Sequence, residues 1–367
     1  MAYAYKRTIT CGNATGSTQT DFPLLIKFDS SNVGTTFKTA GNGGHIQNTV
    51  TQSGGNAVTM PADLIFTSDS GGTTKIPWEV ESYDGTNGVL WAWVKISSLT
   101  TSGATIYVFY DDATVSTQQN TSSYSPSNVW DSNYSLVSHL PDGSTLFAND
   151  STSNGLDGTK TNSPTATTGQ IDGAGNFVSS SNQYIERGSG FPTTKTDFTL
   201  SAWCRMSSKP SLSTLFQSSQ GFGGVAFYVN NFNAVSALYP LVVDNRFTDF
   251  NLSASKTYYL VFTRNGTTLK VYVYNYTDST SGTQSITEGG TEPARDGKYY
   301  IGNSVNGGPF DGWIDEVRWS QIDRGADWVA TEYNNQSSPL TFNTIGAETS
   351  TGGTTTRYDL LLINVGT

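Results

Sequence analysis

Apolar residues in this chain alternate with polar ones far more often than they recur at helical spacing. In Leu90-Trp91-Ala92-Trp93-Val94-Lys95-Ile96, Leu90, Ala92, Val94 and Ile96 share one face and Trp91 and Trp93 the other. Apolar side chains on both faces predict a strand covered from both sides. Tyr5 to Thr10 alternates in the same way, and Phe22 to Phe28 reads as a more buried strand. Further strands are predicted at Ala62–Thr67, Trp78–Tyr83, Thr105–Tyr110, Leu136–Leu140 and Phe198–Cys204. Tyr258–Thr263 and Thr267–Tyr274 flank Asn265-Gly266, a strong two-residue hairpin signal. Clusters of Gly, Asn and Asp separate the early strands at roughly sandwich spacing. One stretch breaks the pattern: Ala326, Val329, Ala330 and Tyr333 fall at 3.6-residue spacing and predict a short helix.

Composition agrees. Hydrophobic residues make up 35% and charged residues only 14%, with 38 glycines, while aromatics reach 12%. Disordered chains are poor in aromatics, so the chain folds, and its bias toward β-branched and aromatic residues favours an all-β protein. The net charge is −10 with no cluster of Lys and Arg, which removes the electrostatic footprint for nucleic acid. No apolar run approaches a membrane span. Met1 to Thr10 runs straight into a strand pattern without an apolar signal core, which leads us to expect a virion protein released by lysis or a secreted protein whose signal has been trimmed. Cys11 and Cys204 lie in different halves and are read as reduced, Cys204 as a small core residue.

Phe310-Asp311-Gly312-Trp313-Ile314-Asp315-Glu316-Val317-Arg318-Trp319 reads as a strand with Trp313, Val317 and Trp319 on one face. Trp313 and Val317 are accordingly expected in the core. An Ile-Asp-Glu-Val-Arg strand leading to a short helix resembles the end of a laminin-G-like, concanavalin A-type jelly roll. With Phe198–Cys204, the Asn265-Gly266 hairpin and Tyr299-Tyr300-Ile301-Gly302-Asn303, the resemblance runs the full length of residues 128–347. It implies a fold used mostly to hold sugars or protein partners. Tyr5-Lys6-Arg7, Asp21-Phe22-Pro23-Leu24-Leu25, Trp78-Glu79-Val80-Glu81-Ser82-Tyr83 and Trp93-Val94-Lys95-Ile96 resemble a family of unknown function found ahead of such domains in bacterial surface proteins. The expected organisation is a β-sandwich module at 1–113, a Ser/Thr/Gln-rich linker at 114–127, the jelly roll at 128–347 and a tail at 348–367. In the tail, Arg357–Val365 reads as a possible anchoring strand.

Candidate chemistry is sparse. Asp150 and Asp157 flank a Ser/Asn/Gly turn and Asp315 lies near the domain end; such oxygens can hold a structural Ca²⁺, as the resembled fold often does where an early loop meets the last strands. The competing reading is an Asx turn that caps backbone amides. Glu79 and Glu81 share one face of a strand at a spacing open to glycosidase chemistry, but a plain solvent-facing strand edge is the stronger reading. Asp315 and Glu316, being adjacent, are expected on opposite faces. His45 and His139 lie in different modules, with His139 read as a strand residue beside the core. Trp130, Phe222, Phe232, Tyr239, Phe247 and Phe250 are aromatic candidates for stacking on sugar rings.

The expectation is therefore a non-catalytic virion or surface protein, such as a phage decoration, fibre or tail appendage. Its jelly roll would hold a glycan, its partner would be a virion or cell-surface scaffold protein, and it would form a homo-oligomer. A secreted bacterial adhesin or polysaccharide-binding protein is the alternative, and a glycosidase ranks last.

Overall fold

A computed structural model describes residues 3–352 apart from 142–145, 195–196, 209–211, 220–223, 231–234, 240–242, 248–249, 251, 288–294 and 305–307. The possible tail strand Arg357–Val365 lies outside these residues. The architecture is all-β, with two antiparallel sandwiches in succession.

In the first sandwich, the Tyr5–Cys11 strand pairs with Ala104–Tyr110, which pairs in turn with Leu64–Thr67. The facing sheet places Val89–Leu99 between Gln19–Phe28 and Trp78–Asp84. Buried Phe22, Leu24, Phe28, Phe66, Trp78, Val80, Leu90 and Val94 fill the space between the sheets. The segment 114–127 is pinned to this module rather than loose. Asn120 is buried and donates to the Trp78 carbonyl and to Gln52, and Gln118 bonds the Ser53 backbone at both its amide and its carbonyl.

Among the described residues, the second sandwich has a seven-stranded and an eight-stranded sheet. In the latter, Gly312–Ser320 pairs with Phe198–Met206 on one side, and with Gly173–Phe177 and Tyr134–Ser138 on the other. The hairpin at Asn265-Gly266 forms as its sequence dictates, joining Thr257–Asn265 to Thr268–Asn275 with Gly266 at φ +58°. The helix spans Gly325–Ser337 and buries Trp328, Val329, Thr331, Glu332, Asn335 and Gln336. It lies between the sandwiches. Trp328 meets Phe22 edge-on at 5.0 Å, and the Asn335 amide bonds both the N–H and the carbonyl of Leu25. Beyond it, Thr344–Ile345 and Thr349–Ser350 return to the first sandwich and pair with Tyr5–Cys11.

Two β-bulges decide what faces the junction. On Gly312–Ser320 the register against Phe198–Met206 slips between Arg318, opposite Ser201, and Asp315, opposite Trp203. Glu316, at the slip, has φ +54°. A bulge adds one residue and reverses the in-out phase. Before it Ile314 is in the core; after it Val317 and Trp319 are. Trp313 is therefore not in the core as its alternation suggested: it is half-buried on the outer face beside Trp203, Tyr259 and Tyr333. The same reversal corrects the expected opposition of Asp315 and Glu316, because both now point away from the jelly-roll core toward the first module. A second bulge on Trp78–Asp84, where Val80 opposes Ala92 and Ser82 opposes Trp91, places Glu81 at the slip.

Candidate functional site

The paired acids Glu79 and Glu81 do not line a solvent-facing edge. Both are 0% exposed, as is His139, because the second sandwich closes over the face that carries Trp93. Glu79 accepts from Trp130 Nε1 at 2.9 Å and Ser151 Oγ at 2.6 Å, both from the second module. Glu81 accepts from Trp93 Nε1 at 2.6 Å. His139 is held between acids rather than merely beside the core. Its Nδ1 lies 2.6 Å from Glu316 Oε1 and 3.7 Å from Glu81 Oε2, and its Nε2 3.5 Å from Glu79 Oε2. The ring stacks on Trp93 and tilts against Trp130. Arg318 closes the cluster: Nη2 meets Glu316 at 2.5 Å and Nη1 meets Glu332 at 2.7 Å. Its guanidinium lies 4.2 Å from the Trp93 ring centre.

The electrostatics follow from dry surroundings and many carboxylates. Burial opposes the charged form of His139, but Glu316, Glu79 and Glu81 outweigh it and raise its pKa well above the ordinary histidine value. Burial, and then the Glu316 charge, raise Glu81 well above a normal carboxyl. Burial pushes Glu316 upward too, but His139 and Arg318 win and lower it. For Asp315, burial and the neighbouring Glu316 outweigh the amides it accepts, and its pKa is raised well above normal.

The aspartates expected at a calcium each accept backbone amides. Asp150 accepts from the backbone N–H of Val137, Thr152 and Leu156 and from the Thr152 hydroxyl. Asp157 accepts from the Asp150 N–H. This is the Asx-type loop closure. Asp315 Oδ2 accepts from the amides of Gln170 and Ile171, on another part of the fold. Among the described residues, the set of three side-chain ligand atoms gathered within 4.8 Å of one another is Glu81, His139 and Glu316. It contains none of the three aspartates. Sequence reasoning missed this set: Glu81 and Glu316 sit at bulges of two separated strands, and His139 follows the end of a third.

Of the aromatic candidates, Phe222 and Phe232 lie outside the described residues. Tyr239 and Phe247 end the strands Val235–Tyr239 and Val243–Phe247. Trp130 is buried in the junction. Phe250 lines an open groove of about 350 Å³ on the jelly roll, with Tyr258, Asn275, Thr280, Ser281 and Thr283. A Cβ on Gly282 would come within 2.8 Å of the Phe250 ring, so the bare backbone there makes room for the ring. Both cysteines are free and buried, and burial pushes the Cys11 thiol up to about 12.

Residues 179–330 match the family described as the concanavalin A-like lectin/glucanases superfamily, in its laminin-G-like form. The chain thus contains a laminin-G-like domain there, and the sheets extend that sandwich back to Tyr134. No curated protein matches significantly. Among solved structures, domain 4 of AbnA, an extracellular GH43 arabinanase from Geobacillus stearothermophilus in complex with arabinotriose, is 19% identical, with a TM-score of 0.42 over 55% of this chain and 98% of that one. A botulinum neurotoxin type C structure, from work on cell entry through two ganglioside molecules, is 11% identical with a TM-score of 0.39 over 56% of this chain and 51% of that one. Trypanosoma rangeli sialidase is 12% identical with a TM-score of 0.41, over 72% and 44%. The superfamily holds both binding domains and glycosidases. No helix among the described residues is long and apolar enough to cross a membrane.

Proposed function

We propose that this chain is a non-catalytic, glycan-holding protein displayed on a virion surface, with the jelly roll as the binding module. The groove at Phe250 carries this reading. It sets a half-buried ring beside the Asn275 amide and the hydroxyls of Thr280, Ser281 and Thr283. Sugar recognition needs that mixture, since C–H faces pack on rings while hydroxyls need polar partners. The groove is lined by neutral side chains, which favours neutral sugars over uronates or sialic acids. Glu79 and Glu81, the acids a hydrolase reading would use, are out of reach of any polysaccharide. Display is supported by the chain's low charge and its wealth of Ser, Thr and Asn.

A glycan-array screen with product analysis in the same wells tests the binding. We expect binding without cleavage, unchanged by a calcium chelator, and lost by about tenfold or more in Phe250→Ala, since an aromatic platform contributes on the order of a kcal/mol or more. Gly282→Ala, which forces the Phe250 ring to move, should weaken binding while leaving the fold intact. Cleavage products, or full binding in both variants, would overturn the reading. Mass spectrometry of purified virions tests the placement, and absence from the particles would remove it in favour of a secreted adhesin.

A further inference from the structure

The fold leaves an uneven charge balance in its driest place. Glu79, Glu81, Asp315, Glu316 and Glu332 bring five carboxylates to the junction, all buried. Arg318 and His139 are the cations within this cluster. Buried ionisable groups are expected to be paired, to take up a proton or to coordinate a metal. Two carboxylate oxygens of the cluster, Glu81 Oε1 and Asp315 Oδ1, have no hydrogen-bond partner, and neither does His139 Nε2. Asp315 is outside the trio, and its Oδ2 accepts from the amides of Gln170 and Ile171.

We propose that Glu81, His139 and Glu316 form a buried site for one divalent transition-metal ion that bridges the two modules. The arrangement behind the three ligands fits. A metal-bound histidine normally offers its other ring nitrogen to a carboxylate, and His139 Nε2 faces Glu79 Oε2 at 3.5 Å. Glu316 binds Arg318 through Oε2, which leaves Oε1 toward His139. Glu81 takes the Trp93 N–H on Oε2, which leaves Oε1 free. One imidazole nitrogen with two carboxylate oxygens suits zinc, manganese or iron(II), whereas calcium prefers six to eight oxygens. The ligands must be deprotonated to hold the ion, so metal affinity rises with pH. The trio is wholly buried, so the ion enters as the modules close and exchanges slowly afterward.

The test uses the full chain purified without a metal-affinity column. Elemental analysis should find on the order of one zinc, manganese or iron per chain. Chain unfolded with chelator and refolded with ZnCl₂ or MnCl₂ should melt several degrees above chain refolded without metal, by mass action on the native state. Glu81→Gln keeps an acceptor for Trp93 and should bind at least tenfold less metal, with the near-ultraviolet tryptophan signal retained. His139→Gln should lose metal as well, and Glu81→Gln decides the matter if that variant fails to fold. Less than about a tenth of an equivalent in the purified chain, together with identical melting in zinc, manganese and chelator, would overturn the proposal. So would full metal content in Glu81→Gln. The junction would then be a network of protons and arginine alone.

Discussion

Single side chains in this protein are set more by what encloses them than by their own chemistry. Asp131 illustrates this in a form open to titration. Burial disfavours its charged form, but the Arg324 guanidinium binds both its oxygens, at 2.6 and 2.8 Å, and the pKa is lowered from 3.8. A carboxylate whose pKa is depressed by folding adds stability that is fully present above its unfolded value and is lost as pH falls through its folded one. The Asp131–Arg324 contribution should therefore hold above about pH 4 and be lost progressively as pH falls from there through the lowered folded value. Asp131→Asn should cost about 1–2 kcal/mol near neutrality, and its gap to the parent should close in strong acid. Denaturant melts from pH 6 to pH 2 measure the gap, and one that stays constant with pH would show that the ion pair is not what Asp131 contributes.

At the scale of elements, two irregular positions redirect whole strands. The sequence around Trp313 alternates well enough to predict a strand, and the strand is there. What alternation cannot reveal is the extra residue at Glu316, because Glu, Val and Arg in succession carry no turn signal. Everything C-terminal to a bulge keeps its sequence pattern but exchanges faces. For the same reason the sandwich class, the hairpin and the helix were legible from local periodicity, while the junction cluster was not. Its members are separated by up to 253 positions, from Glu79 to Glu332, and nothing local marks Glu79 and Glu81 as buried. The Asp150 loop is legible only as two alternatives. Asp in a Ser/Asn/Gly loop fits an ion and an Asx turn equally well in sequence, and in the fold Asp150 accepts the backbone amides of Val137 and Leu156. The bulge makes a sharp prediction. Trp319 packs in the core against Phe191, Phe198 and Phe216, so Trp319→Ala should cost about 3–5 kcal/mol. Trp313→Ala, on the half-covered outer face, should cost less than about 2 kcal/mol. Chemical denaturation of both variants checks the order, and equal losses would mean that the faces have not exchanged.

For the whole molecule, the question is whether two sandwiches make one cooperative unit. Modules joined by a flexible linker unfold separately; modules that share a core do not. Here Trp130, Tyr134, Val137, Ile171 and Trp328 of the second half pack into the same apolar cluster as Phe22, Leu24 and Trp93 of the first. Segment 114–127 is bonded down, the Asn335 amide forms a two-way clasp with Leu25, and Asn343 adds a third bond to the Leu25 carbonyl. The chain also crosses the junction twice, since its last described strands return to pair with its first. Separating the modules would strand the acids Glu79 and Glu81 without their partners, and breaking such buried pairs costs several kcal/mol. Calorimetry should therefore record one unfolding transition rather than two. Trp328→Ala removes the ring that meets Phe22 across the boundary, and it should lower that single transition by several degrees, the shift expected of about 3 kcal/mol or more. Two resolved transitions in the parent chain, or a variant that moves only part of the heat absorption, would mean that the sandwiches stand alone. The binding groove could then tilt freely relative to the attachment side. A single transition fixes that orientation, so whatever holds the first module also determines where the jelly roll presents its groove.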